Sequence, residues 1–268
     1  MYLDCGCIVW DVFADLQDVR LHYEDVGSGE PIVLIGGFGA NLRFWRDAVS
    51  ALDGFRVITL DNRGVGETES SGPFSIDDMA DDVVHLMDHL GIGRFHVLGW
   101  SMGSHIGQSL GIRHADRLRS LTLVSTYMRR PSRSDYILRG LTTMALNGEA
   151  PLQCLAIAVN AFCFPESVFR DLEERGETMP VPRRPESPTG LMMQIDAVDG
   201  YDTTDLACKI SVPTLVVHGT EDVMVESSMG KAVADAIPGS ELLMVEGAGH
   251  NIPFRMYKGR FLEFISDF

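Results

Sequence analysis

Ser101 is the residue around which the chemistry of this 268-residue chain is best organised. It sits in Gly99-Trp100-Ser101-Met102-Gly103, between a short apolar stretch that starts at Arg94-Phe95 and a run of small residues with helical spacing. A serine on a tight turn from strand to helix has its hydroxyl lifted clear of the backbone, with the positive end of the helix close by. Serine is a weak nucleophile unless a base stands within hydrogen-bond reach, and the base in turn needs an orienting acid. Both residue types recur downstream: Glu221-Asp222 follows the apolar run Thr214–His218, and His250 ends Gly247-Ala248-Gly249-His250 after the run Glu241–Val245. Ser101, Asp222 and His250 are therefore the candidates for nucleophilic acyl chemistry, with Glu221 the competing acid.

These residues are useful together only if strands deliver them to one place. Pro31–Ile35 is a continuous apolar run, as expected of a strand buried on both faces; Phe55–Leu60 reads as a second buried strand, Leu118–Val124 as another apolar strand, and Thr214–His218 and Glu241–Val245 as the last strands. Helical patterns alternate with them. Asn41 to Leu52 carries Leu42, Trp45, Val49 and Leu52. The next has Ser75 as N-cap, Asp77 and Asp78 in the first turn, an apolar stripe from Ile76 to Leu90, and Gly91 at its end. Further helices are expected before Pro238-Gly239 and over Phe254–Phe268, and edge strands over Val12–Val26. The alternation predicts an α/β fold, a mostly parallel central sheet with helices on both faces. In such a sheet the carboxyl ends of the strands share one edge, so Ser101, Asp222 and His250 can converge. Residues 128–207 break the rhythm with helical segments rich in methionine and aromatics and a proline-rich stretch at 180–188. The expected organisation is a core of residues 1–127 and 208–268 with an inserted helical cap over 128–207.

Four segments in this order resemble the small capped serine hydrolases of the α/β-hydrolase fold superfamily: Gly-Trp-Ser-Met-Gly, Asp61-Asn62-Arg63-Gly64-Val65-Gly66, Val212 to Asp222, and Gly-Ala-Gly-His at 247–250. Enol-lactonases and related carboxylesterases are nearest. The resemblance implies a Ser101–His250–Asp222 triad and an oxyanion hole made by the backbone N–H groups of Phe38 and Met102. The family loop usually begins His-Gly, where this chain has Gly36-Gly37. The resemblance also implies an apolar substrate pocket, assigned to Gly37, Trp100, Phe162 and Met192, with Asp61 and Arg63 architectural. The implied activity is cofactor-free cleavage of a small-molecule carboxylic ester or lactone through an acyl-enzyme. A serine at 101 excludes the aspartate-dependent dehalogenases and epoxide hydrolases. Acyl transfer, C–C hydrolysis and lyase chemistry use similar triads, and some members keep the triad yet act as ligand receptors.

Composition narrows the partners. A formal net charge of −16 with only three lysines repels phosphate backbones and anionic lipid, which argues against nucleic-acid and membrane binding. No signal segment and no apolar run near eighteen residues is found, so a cytoplasmic location is expected. Five scattered cysteines suit free thiols, and Cys5-Gly6-Cys7 lacks a second ligand pair, so no metal is expected. His85, His89 and His114 read as exposed helix residues, His105 and His218 as structural ones. Arg129, Arg130 and Arg133 read as a solvated basic edge rather than a grip on a substrate carboxylate.

Overall fold

Strand pairing begins in a hairpin. Val12–Leu16 (β1) and Val19–Gly27 (β2) run antiparallel, closing at Leu16↔Val19. The structure, a computed structural model, describes residues 12–180 and 187–268; Cys5-Gly6-Cys7 and residues 181–186 of the proline-rich stretch lie outside them. The remaining strands are Glu30–Ile35 (β3), Phe55–Leu60 (β4), Glu69–Ser70 (β5), Phe95–Trp100 (β6), Leu118–Val124 (β7), Thr214–Gly219 (β8) and Glu241–Val245 (β9). They form one sheet in the order β1-β2-β4-β3-β6-β7-β8-β9, with β5 attached to β2. Every pairing from β4 to β9 is parallel. Only β1 behaves as an edge strand of the N-terminal pair, because β2 also pairs β4 through Tyr23↔Leu60.

The helices cover both faces. Ile76–His89 (α2), Met102–Arg113 (α3) and Ser227–Ala236 (α8) pack Met79, Val83, Ile106, Leu110 and Val233 onto one face. Arg46–Ala51 (α1) and Lys258–Ile265 (α9) close the other with Ala48, Phe261 and Phe264. The α2 start is a capping box: Ser75 Oγ accepts from Asp78 N at 3.1 Å, and Asp78 Oδ2 accepts from Ser75 N at 2.8 Å. Two expected helices are shorter than their patterns. Leu42–Trp45 is a 3₁₀ turn ahead of α1, because Asn41 caps it at Arg43 N and Asp61 takes the Leu42 N–H. At the C-terminus a 3₁₀ turn at Phe254–Met256 precedes α9. Among the described residues no helix is long and apolar enough to cross a membrane.

Between β7 and β8 the chain adds Ser132–Leu146 (α4), Gln153–Cys163 (α5), Glu166–Glu174 (α6) and Pro188–Asp199 (α7). Leu138, Leu155, Leu191 and Ile195 form a small core of their own, joined by Val65 from the loop after β4. Because β7 and β8 are parallel neighbours, the chain leaves β7 at the carboxyl edge of the sheet and, after these helices, crosses back to the amino edge to enter β8.

Two buried histidines predict how the fold responds to acid. His96 on β6 meets Ser120 Oγ at 2.8 Å, and His105 on α3 meets the Tyr127 carbonyl at 2.8 Å through Nε2. Burial pushes both down to about 4; Arg119 and Arg94 add to it at His96, and the Tyr127 carbonyl opposes it at His105. The unfolded chain takes up protons at these positions from pH ~6.5 downward, whereas the folded chain stays neutral until about pH 4. Folded values below unfolded ones mean that stability is intact above pH ~6.5 and falls as pH drops toward 4. Two protons give a slope of up to about 2.7 kcal/mol per pH unit, or roughly 4 kcal/mol lost between pH 7 and 5. Urea unfolding at the two pH values measures this; equal unfolding free energies would refute it.

Candidate active site

The turn after β6 holds Ser101 at φ 54° and ψ −117°, a backbone region that side chains rarely occupy. Its flanking glycines are required by crowding. A Cβ at Gly99 would lie 2.2 Å from the Gly103 carbonyl, and one at Gly103 would lie 2.1 Å from the Ile35 carbonyl. Ser101 N donates to Val124 O on the neighbouring strand at 2.9 Å, which ties the turn to the sheet.

The ends of β8 and β9 bring the other two candidates to this point. His250 Nε2 lies 2.9 Å from Ser101 Oγ, and His250 Nδ1 lies 2.8 Å from Asp222 Oδ2. A carboxylate only accepts, so Nδ1 carries the proton and Nε2 is left to accept from the serine hydroxyl. The His250 carbonyl is itself held, by Trp100 Nε1 at 2.9 Å and Ser125 Oγ at 2.7 Å. Ser101, His250 and Asp222 are all buried.

Asp222 is saturated with donors. Its Oδ1 accepts from Met224 N at 3.0 Å and Val225 N at 2.8 Å. Burial pushes the carboxyl up, but the charge of His250, hydrogen bonds from His218 and His250 and the Val225 N–H outweigh it and hold the group at about 2. His218, expected to be structural, lies 3.2 Å from Asp222 Oδ2 through Nε2, which also meets the Val225 carbonyl at 3.0 Å. Gly230 makes room for that ring, since a Cβ there would come within 2.1 Å of His218 Nδ1. The competing acid, Glu221, is exposed beside Glu166 and Arg170, away from His250.

Opposite Ser101 runs the loop Gly36–Gly39. A Cβ at Gly37 would lie 3.0 Å from Ser101 Cβ and 2.8 Å from the Trp100 ring, so only glycine permits this approach. The N–H groups of Phe38 and Met102 donate to no acceptor among the described residues, which leaves both free for a ligand oxygen.

Next to Ser101 is a small, mostly apolar cavity of about 40 Å³, with Phe38, Trp100, Tyr127, Leu138, Val159 and Val198 in its wall. Trp100, one of the residues assigned to the pocket, is in this wall. Phe162, Met192 and Gly37 are not in the wall, although Gly37 lies against the Trp100 ring. On α5 the cavity side is the stripe Val159 and Cys163, one turn apart, which rotates Phe162 toward the main core. On α7 it is Val198, while Met192 joins the insertion's own core. Arg130 also departs from the expected solvated edge. Its side chain is only 6% exposed, lines the cavity, and pairs with Asp135 and Asp199, while Arg129 is exposed and Arg133 reaches Glu226 at the surface. His85 and His114 are half-buried, the latter 2.8 Å from Asp81.

Asp61 and Arg63 brace their loop. Asp61 accepts from His22 Nδ1 at 2.7 Å, Leu42 N at 2.7 Å and Glu67 N at 2.8 Å; Arg63 pairs with Asp82 at 2.7 Å and with Asp18. Among the described residues no cluster of three or more His, Cys, Asp or Glu is arranged to hold a metal.

Known proteins share this fold. The enol-lactonase of Burkholderia xenovorans LB400 superposes with a TM-score of 0.83 at 28% identity, over 95% of this chain and 100% of that one. The pimeloyl-[acyl-carrier protein] methyl ester esterase of Neisseria meningitidis is 29% identical over 88% of this chain and 92% of its own. A protein of Azorhizobium caulinodans named for carbamate hydrolysis is 30% identical over 89% and 91%. The alpha/beta hydrolase fold family model matches residues 30–255, most of the chain. With the family match over most of its length and the strand order in agreement, this chain is a member of the alpha/beta hydrolase fold family.

Proposed function

We propose that the chain is a cofactor-independent serine hydrolase that cleaves a carboxylic ester or lactone through an acyl-enzyme. The observation that carries the reading is the unbroken pair of hydrogen bonds from Ser101 through His250 to a carboxylate held at about 2. Ser101 Oγ attacks the carbonyl carbon while its proton passes to His250 Nε2, and Asp222 stabilises the imidazolium. The carbonyl oxygen, now negative, takes hydrogen bonds from Phe38 N–H and Met102 N–H. His250 returns the proton to the leaving alkoxide; a water then attacks the acyl carbon through the same base and frees Ser101. In this reading residues 128–207 act as a cap, since Leu138, Val159 and Val198 close the cavity over the nucleophile.

Cavity size sets the preference. A single water needs roughly 10–15 Å³ of such space, so about 40 Å³ holds a few atoms of acyl chain. p-Nitrophenyl acetate should therefore be hydrolysed over many turnovers, with kcat/KM at least about tenfold above the octanoate, the low end of what a misfit methylene costs. The assay is a chain-length series of aryl esters with an aryl carbamate and a lactone beside them. A single acylation per chain with no further turnover would instead mark a ligand receptor, and preference for the carbamate would move the substrate class toward the Azorhizobium caulinodans relative.

A further inference from the structure

Gln194 on α7 is fully buried, is absent from the cavity wall and belongs to none of the motifs that point to Ser101. Its amide nevertheless bridges two loops of the sheet's carboxyl edge. Oε1 accepts from Gly39 N at 2.9 Å, and Nε2 donates to the Arg63 carbonyl at 2.8 Å. One partner can only donate and the other only accept, so the orientation of the amide is settled by chemistry. The helix is seated backbone against backbone. A Cβ at Gly190 would lie 2.1 Å from the Gly64 carbonyl, and one at Gly64 would lie 2.6 Å from the Gly190 carbonyl. Leu191 meets the other loop, Gly36–Gly39, at 3.3 Å from where a Cβ on Gly39 would stand.

We propose that Gln194 is a positioning residue for the oxyanion hole, so that the inserted helices hold part of the catalytic geometry as well as covering the site. This rests on the serine hydrolase reading above. The loop that presents Phe38 N–H contains Gly36, Gly37 and Gly39, and three glycines give it little intrinsic stiffness. Three bonds hold it: Asn62 Nδ2 to the Gly36 carbonyl at 3.0 Å, Ala40 N to the Gly37 carbonyl at 3.1 Å, and Gly39 N to Gln194. Asn62 fixes the peptide before the one that carries Phe38 N–H, and Gln194 fixes the peptide after it. Gly39 stands at φ 66°, and the Gln194 bond holds its N–H toward the insertion rather than toward the substrate oxygen. Without Gln194 the Gly39 N–H and the buried Arg63 carbonyl both lose their partner, and the loop can recover them only by moving. A displacement near 1 Å in a group that acts on the transition state costs on the order of 10² in rate.

Two variants of the full chain test this, with p-nitrophenyl acetate as substrate, circular dichroism for folding and a fluorophosphonate to count reactive Ser101. Gln194→Met keeps the volume and removes both bonds; kcat and kcat/KM should fall together by roughly 10- to 100-fold, with full fluorophosphonate stoichiometry and little change in KM. In Gln194→Glu a neutral carboxyl repeats both bonds, its O–H donating to the Arg63 carbonyl, whereas the ionised form sets an oxygen against that carbonyl. The ratio of Gln194→Glu to wild-type kcat should therefore climb as pH falls from 8 to 5.5, a trend that loss of packing alone does not produce. A folded Gln194→Met chain with wild-type kcat, or a Gln194→Glu ratio that is flat with pH, overturns the proposal. Should Gln194→Met fail to fold, the pH trend of Gln194→Glu decides. Wild-type chain that neither turns over the ester nor reacts at Ser101 overturns the hydrolase reading itself, which separates the two failures.

Discussion

Ser101→Ala is expected to leave a folded chain with esterase activity lower by on the order of 10⁶ in kcat. The hydroxyl makes one contact of consequence, the 2.9 Å hydrogen bond to His250 Nε2, and the turn is held by backbone and glycine contacts that alanine keeps. The substitution should therefore change unfolding free energy by no more than about 1 kcal/mol. The φ of 54° is strained for alanine as it is for serine, so that strain does not distinguish the two. Single-turnover and steady-state assays with p-nitrophenyl acetate measure the loss, and the urea midpoint measures stability. More than about a tenth of wild-type turnover in a folded Ser101→Ala chain would exclude Ser101 as nucleophile. The remaining activity should exceed the uncatalysed rate, because the free N–H groups of Phe38 and Met102 and the cavity survive the change.

How much of this was legible in the sequence depended on whether local pattern or tertiary contact decides. Strands Phe55–Leu60 and Leu118–Val124 have the bounds that their apolar runs imply, because an inner parallel strand is buried on both faces and needs no alternation; Glu241–Val245 keeps its bounds too, although at the sheet edge its first residues are exposed. Ser75 announces α2 by the same token, since a cap is a local bond. The meeting of Ser101, Asp222 and His250 follows from strand-end position in a parallel sheet. Inside the insertion the pattern loses its hold. Apolar residues run around most of α5, so Phe162 and Val159 look equivalent until the sheet beneath chooses a face. Arg129, Arg130 and Arg133 are alike as residues, and it is Asp135 together with Asp199, 69 positions away, that makes one of them a buried member of the cavity wall. Gln194 gave no signal, because a buried glutamine is defined by its two partners and those lie on other loops. His218 carried one, four residues ahead of Asp222, but its contact appears only once the loop between them folds back.

The acid is the sharper test of how this site is assembled. Asp222→Asn should lower kcat by on the order of 10⁴ while Glu221→Gln leaves it within a few-fold. The expectation follows from position. Asp222 Oδ2 is 2.8 Å from His250 Nδ1, whereas Glu221 is exposed and faces Glu166 and Arg170. Neutralising Asp222 does more than remove a charge. An asparagine amide that turns its NH₂ toward Nδ1 forces the proton onto Nε2, where it opposes Ser101 and leaves no base. An asparagine that turns its oxygen toward Nδ1 must present its NH₂ to Met224 N–H and Val225 N–H, two donors that the carboxylate now satisfies at 3.0 and 2.8 Å. Both orientations lose, and the second also leaves buried N–H groups unpaired, so some stability should go with the activity. His218 sharpens the forecast: its Nε2 donates toward the same Oδ2 at 3.2 Å, so the oxygen-inward orientation is the one it supports. Part of the working tautomer is thereby retained, and the loss should sit at or below 10⁴ rather than at the 10⁶ scale of Ser101→Ala. The measurement is kcat for the two single variants at matched, verified folding. A crippled Glu221→Gln beside an active Asp222→Asn would assign the acid to the neighbour and break the Ser101–His250–Asp222 reading.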